Sequence, residues 1–319
     1  MTDARPDVTA YLEMLKGQAG PSVVELDPVF VRKMTRQAAP MVEAPPREMR
    51  RLDVSIAGEG GVAVPARVYR PTEAAEAAPV IVFFHGGGWV LGDVEGYDPL
   101  TAEIAHLSGL TVVSVDYRLA PEHRFPAAVD DCLAAARWAA AGPEEIGHPV
   151  SGLVLMGDSA GGALAAVAAR ELSAGSPVPI LAQVLIYPVT DISKPYPSDA
   201  ELAAQFNVSE AGKAKFYGYY LGDDFAAMTR HPRVSPLLAE AWRGLPPAVI
   251  FACELDVLRD QGRAYAARLA SEGVQTVFLE ARQVHGSFAM RKVLPSAQAD
   301  LERVVAALRL LLDRASLDA

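Results

Sequence analysis

From about residue 50 onward, short apolar runs recur along the chain, and segments with helical spacing separate them. The runs near 50–56, 63–69, 80–84, 111–116, 152–157, 180–186, 247–252 and 274–279 read as strands. Several are almost continuously apolar, such as Val80-Ile81-Val82-Phe83-Phe84 and Leu181 to Ile186, a pattern suited to strands buried on both faces. Helices are predicted near 97–108, 126–140, 160–174, 258–272 and 296–314. The last places Leu301, Val304, Val305, Leu308, Leu311 and Leu312 on one stripe that should pack on the sheet. Strands that alternate with helices predict an α/β fold, with a mostly parallel sheet flanked by helices. The first two strands have no helix between them and read as an antiparallel hairpin.

Two regions fall outside this rhythm. Residues 7–18 and 26–38 read as helices, and Pro40 to Pro46 as a Pro/Ala-rich link to the first strand. Residues 190–235 are too long for one crossover helix and are rich in Tyr and Phe. We expect them to form a lid over the carboxyl ends of the strands, where ligands bind in open α/β sheets. The expected division is therefore 1–45 as the N-terminal part of a cap, 190–235 as its inserted part, and 46–189 with 236–319 as the catalytic domain.

Composition narrows the class. The 319 residues are 51% hydrophobic and 21% charged, enough apolar material for a large core and too little charge for extensive disorder. A net charge of −10 disfavours nucleic acid and anionic membrane surfaces as partners. Two cysteines, Cys132 and Cys253, do not make a disulfide scaffold. Met1 to Gly20 lacks the apolar core of a secretory signal, and no apolar stretch has membrane-spanning length, so a cytoplasmic location is expected.

Gly157-Asp158-Ser159-Ala160-Gly161 matches G-x-S-x-G. The match is weak alone, but it stands between a predicted strand and an Ala-rich helix. A sharp turn there lifts the Ser159 hydroxyl above the sheet and sets the Ala160 N–H at a helix N-terminus, where developing negative charge is favoured. His85-Gly86-Gly87-Gly88 is more specific and follows a strand where an oxyanion loop belongs. Its side-chain-free backbone can approach an anion closely, so Gly87, Gly88 and Ala160 are the expected oxyanion donors, and His85 a residue that holds the loop. A phosphate-binding loop would need the Lys and Ser/Thr that are missing here.

In this fold the triad runs Ser, acid, His. Only His231 and His285 follow Ser159, and His231 lies in the expected lid. His285 is therefore the candidate base. Two aspartates follow strands, Asp191 after Leu185-Ile186-Tyr187 and Asp256 after Phe251-Ala252. Asp256, just before a helix, is preferred as the acid, with Asp191 as its competitor.

His85-Gly86-Gly87-Gly88-Trp89, Tyr117-Arg118-Leu119-Ala120-Pro121-Glu122-His123, Phe125-Pro126-Ala127-Ala128, Gly157 to Gly162 and Asp256-Val257-Leu258-Arg259-Asp260 together resemble the bacterial hormone-sensitive-lipase-like esterases. The resemblance runs from about residue 50 to the C-terminus. It implies an α/β-hydrolase fold with an eight-stranded sheet, a two-part helical cap, carboxylesterase activity and no cofactor. It also implies Asp256 as the acid, and structural roles for Tyr117 to Pro126 and Asp131. Val257 stands where the family usually has Pro, and Ser287 where an aromatic is more frequent; both positions bear on the alcohol side of the pocket.

The expected activity is hydrolysis of short- to medium-chain carboxylic esters through an acyl-enzyme, with no metal. Trp89, Tyr187, Phe206 and Phe216 are expected to line a mostly apolar pocket for a small-molecule ester. Amide or lactone hydrolysis would use the same triad, whereas a non-catalytic receptor on this fold would dispense with the histidine. A homodimer is compatible with the sequence, which does not specify the oligomeric state.

Overall fold

The structure, a computed structural model, describes residues 5–16, 26–71, 77–202 and 210–317. Eight strands form one sheet: β1 (Arg50–Ala57), β2 (Ala63–Arg70), β3 (Ala78–Phe84), β4 (Thr111–Val115), β5 (Val150–Asp158), β6 (Ile180–Ile186), β7 (Ala248–Leu255) and β8 (Thr276–Val284). Their spatial order is β1-β2-β4-β3-β5-β6-β7-β8. β1 and β2 form the antiparallel hairpin, β2 pairs antiparallel with β4, and the remaining pairs are parallel.

The helices are α1 (Pro6–Lys16), α2 (Pro28–Val42), α3 (Val94–Ser108), α4 (Ala127–Ala140), α5 (Ala160–Leu172), α6 (Pro197–Leu202), α7 (Glu210–Leu221), α8 (Phe225–Met228), α9 (Arg259–Ser271) and α10 (Ser296–Leu317). Apolar residues of α4, α5 and α9 cover one face of the sheet, and those of α3 and α10 cover the other. The β3 run Val80 to Phe84 is wholly buried because both faces are covered. On α10, Leu301, Val304, Val305, Leu308 and Leu311 are buried as their spacing requires, and Leu312 is half-buried.

Two boundaries depart from the sequence pattern, and a third lies partly outside the described residues. α2 starts where Asp27 accepts a hydrogen bond from the Phe30 N–H and Pro28 occupies the first turn, but it runs through Pro40 to Val42. Pro40 removes one donor near the end of the helix, and the Glu43 N–H still closes the last turn on Ala39 O, so the expected link begins later. β8 extends five residues past Leu279 to Val284. It is an edge strand, so polar Glu280, Arg282 and Gln283 fit within it, Glu280 pairing with Arg263 of α9. The expected first helix ends at Lys16 among the described residues, and positions 17–18 lie outside them.

The segment between β6 and β7 holds α6, α7 and α8. α6 docks on the start of α9, where the Ser198 hydroxyl donates to Val257 O at 2.7 Å. The Lys213–Asp199 ion pair ties α7 to α6. α2 is fastened by Arg32, whose guanidinium donates to Val90 O and Ala120 O, each at 2.7 Å, and pairs with Glu122. α1 packs instead near the start of α10, with Asp7 accepting from the Ser296 N–H and Arg5 paired with Asp300.

The α10 stripe yields a direct test. Leu308→Ala should lower stability by about 2–5 kcal/mol in urea unfolding, since a fully buried side chain leaves a cavity. Leu310→Ala, 65% exposed on the same helix, should change it by no more than about 0.5 kcal/mol.

Candidate active site

β5 passes into α5 through Ser159, whose φ of 54° is a region that L-residues seldom occupy. The strain persists because the surrounding backbone fixes it. The Ser159 N–H donates to Ile186 O of β6 at 2.9 Å, and its carbonyl accepts from the N–H groups of Gly162 and Val189. A Cβ on Gly161 would lie 1.9 Å from Phe84 O, and one on Gly157 would lie 2.3 Å from Gly161 O. Both glycines are therefore required by close backbone approach. The Ser159 hydroxyl faces His285 Nε2 at 2.8 Å.

His285 follows β8 directly, and its Nδ1 lies 2.7 Å from Asp256 Oδ2. Asp256 is buried at the end of β7, and its other oxygen accepts from the Leu258 N–H at 2.9 Å, which aims the carboxylate. Asp191 is also buried, but its oxygens accept from the Ser193 N–H and the Tyr196 hydroxyl, both at 2.8 Å. It secures the start of the inserted segment rather than the imidazole. His231 sits at the end of α8, with Nδ1 accepting from the Arg233 N–H and its ring against Phe125. Burial of the His285 ring disfavours its charged form, yet Asp256, through charge and hydrogen bond, and Asp158, through charge, outweigh this and raise its pKa above the ordinary value.

The glycine loop leaves β3 beside this chain of hydrogen bonds. The Gly86 N–H is taken by Asp158 Oδ1 at 2.7 Å and the Tyr97 hydroxyl at 3.1 Å, while Gly87 and Gly88 line the cavity next to Ser159. A Cβ on Gly88 would come within 2.5 Å of the Phe216 ring. Behind the loop, the Tyr117 hydroxyl donates to His85 O at 2.7 Å and its ring stacks on His85. The Ala120 N–H holds Trp89 O at 2.9 Å. Asp131, fully buried, accepts from the Arg118 N–H and guanidinium and so fixes the segment that carries Tyr117.

A cavity of about 290 Å³ opens over Ser159, His285 and the glycines. Trp89, Phe216, Tyr217, Val257 and Leu258 line it. Trp89 is held by stacking on Tyr220, with ring centroids 4.3 Å apart and planes within 4°. Tyr187 does not line this cavity. The turn at its φ of 35° sends the side chain into the core, between His285 and Phe288. Phe206 lies outside the described residues.

Sequence reasoning missed Asp158 and Tyr97. Burial pushes the Asp158 carboxyl up to about 6, while hydrogen bonds from Tyr97 and Gly86 and the charge of His285 work against that rise. Its position inside the serine motif was the available signal, because an acid between a buried strand and a helix must find donors. Among the described residues, no group of three or more His, Cys, Asp or Glu side chains could hold a metal ion, and no helix is long and apolar enough to cross a membrane.

A family model described as the α/β-hydrolase fold matches residues 81–290. The carboxylesterase NlhH of Mycobacterium tuberculosis is 37% identical over 97% of both chains. An ethyl acetate hydrolase of Pseudomonas putida is 34% identical over 95% of this chain and 98% of its own. Among solved structures, the hyperthermophilic esterase from Pyrobaculum calidifontis superposes with a TM-score of 0.86 at 34% identity, covering 98% of this chain and 99% of that one.

The electrostatics of His285 predict its titration. By NMR, the imidazole should titrate above the ordinary histidine value, so it charges earlier as pH falls. Asp256→Asn, which removes the opposing charge and leaves the burial, should move the midpoint downward. An unchanged midpoint would mean that Asp256 does not govern the ring.

Proposed function

We propose residue roles from one premise: the chain belongs to the hormone-sensitive-lipase-like branch of the α/β-hydrolase fold family and is a serine carboxylesterase. The observation that carries these roles is the hydrogen-bonded series Asp256–His285–Ser159 at the strained turn, facing an apolar cavity.

Ser159 is the nucleophile. His285 Nε2 removes its proton as the Ser159 oxygen attacks the ester carbonyl, and the carbonyl π electrons move onto oxygen. The N–H groups of Gly87, Gly88 and Ala160 hold that oxyanion. The Gly86 N–H is already bonded to Asp158 and serves to fix the loop. Collapse of the tetrahedral intermediate breaks the bond to the alcohol, which leaves with the proton from His285. Water, deprotonated by the same imidazole, then attacks the acyl-enzyme and releases the acid with Ser159 restored. Asp256 holds the Nδ1–H tautomer and stabilises the imidazolium.

α2 and the described part of the inserted segment, α6 to α8, act as a two-part cap over this site. α7 supplies Phe216 and Tyr217 to the cavity wall, and Arg32 of α2 braces the backbone of the loop that bears Trp89. A cavity of about 290 Å³ walled by large rings favours small esters with acyl chains of roughly two to eight carbons, since each methylene that fits adds only about 0.8 kcal/mol while an oversized chain meets rigid walls. The buried, unpaired thiols of Cys132 and Cys253 fit a reducing, cytoplasmic setting.

Ser159→Ala should fold normally and lose about a thousandfold or more in kcat on a nitrophenyl acetate. Asp256→Asn should cost about a hundredfold or more, and Asp191→Asn less than about tenfold, because only Asp256 sets the tautomer. Turnover retained in a folded Ser159→Ala variant, or a larger loss from Asp191→Asn, would redraw the triad.

A further inference from the structure

Two cavities meet at the glycine loop. The first is the space over Ser159. The second, about 250 Å³, lies between α2 and the loop and is lined by Ala39 and Val42 of α2 together with Gly92 and Ala289. Gly87, Leu91 and Tyr97 line both, so these three residues form the wall between them.

The three differ in what fixes them. The Tyr97 hydroxyl is bonded to Asp158 and to the Gly86 N–H. Gly87 has no side chain, and a Cβ there would lie 2.2 Å from Leu91 O. Leu91 contributes an apolar side chain that packs against its neighbours without any hydrogen bond. Its backbone N–H donates to Gly87 O at 2.8 Å, a bond that does not depend on the isobutyl group. Shortening Leu91 therefore opens the wall while leaving the main-chain bond that shapes the loop.

We propose that Leu91 is a specificity-determining residue that ends the space available to one alkyl chain of the ester, with the partly open cavity behind it as an extension that Leu91 separates from Ser159. The proposal rests on Ser159 being the nucleophile. The second cavity suits an uncharged chain, because small and apolar residues line much of it and its Arg36–Asp93 pair is already joined at 2.7 Å. Its volume is several times the roughly 30 Å³ that one water occupies in the liquid, which leaves room for several methylene groups. Acyl and alkoxy chains share this chemistry, and two substrate series tell them apart.

The test is kcat/KM for 4-nitrophenyl esters from acetate to laurate, and for alkyl acetates from ethyl to octyl, all kept monomeric. In one series Leu91→Ala should raise the ratio of long-chain to short-chain efficiency by about fourfold for each added methylene beyond the wild-type optimum, the equivalent of about 0.8 kcal/mol per buried CH₂. Adding Ala39→Phe, which fills the second cavity, should return that ratio to within about twofold of wild type. The series that responds identifies the chain. Leu91→Val should give a smaller shift in the same direction, and it serves if the alanine variant folds poorly. Unchanged ratios in both series would overturn the proposal, as would a shift that Ala39→Phe fails to reverse. Because the readout is a ratio within active enzymes, it fails separately from the triad, which Ser159→Ala tests on acetate alone.

Discussion

The backbone of the β5–α5 turn touches the end of β3, and the site depends on that contact. Gly161 packs so closely on Phe84 O that no side chain fits between them, and a Cβ there would also lie 2.6 Å from His85 O. The loop that follows β3 and the serine that follows β5 are thus fixed relative to each other by main chain alone. From the other side, Ile186 O of β6 receives the Ser159 N–H. Holding Ser159 at a positive φ costs on the order of 1–3 kcal/mol, which the backbone hydrogen bonds of Ser159 to Ile186, Gly162 and Val189 help offset. Burial in the middle of an eight-stranded sheet holds the arrangement in place, as the proposed oxyanion site requires, because donors that had to reorganise during the reaction would lose most of their advantage.

Two carboxylates serve one imidazole in different ways. Asp256 touches His285 and is aimed by the Leu258 N–H. Asp158 acts on His285 only through charge, while it clasps the Gly86 N–H and the Tyr97 hydroxyl. Burial pushes the Asp158 carboxyl up to about 6, and in its charged form it favours a charged His285 ring. As pH falls through that value, Asp158 takes up a proton and this support weakens. The carboxylate inside the serine motif thus both holds the glycine loop and acts by charge on His285.

Much of this was legible in the sequence, for identifiable reasons. The two glycine motifs announce themselves because close backbone approach admits no other residue. His285 as the candidate base followed from chain order, and the sheet from apolar runs too continuous for a half-exposed strand. Features set by tertiary contact were harder to read. β8 runs on through Glu280 and Arg282 because an edge strand tolerates charge there. Tyr187 reads like a pocket residue until the turn after β6 sends it into the core. Arg32 lies 58 positions from Val90, and nothing in its local sequence signals that it braces the loop.

The central claim is that Ser159 is a nucleophile activated by His285, and a covalent probe tests it most directly. A 4-nitrophenyl alkylphosphonate presents a tetrahedral phosphorus to the serine oxygen and expels nitrophenolate as the P–O bond to Ser159 forms. Intact-mass and peptide analysis should find one phosphonyl group per chain, on Ser159, with nitrophenolate released in equal amount. Labelling should vanish in Ser159→Ala and slow by about a hundredfold or more in His285→Ala. A stoichiometric adduct on any other residue, or labelling of Ser159 at an undiminished rate without His285, would contradict the account.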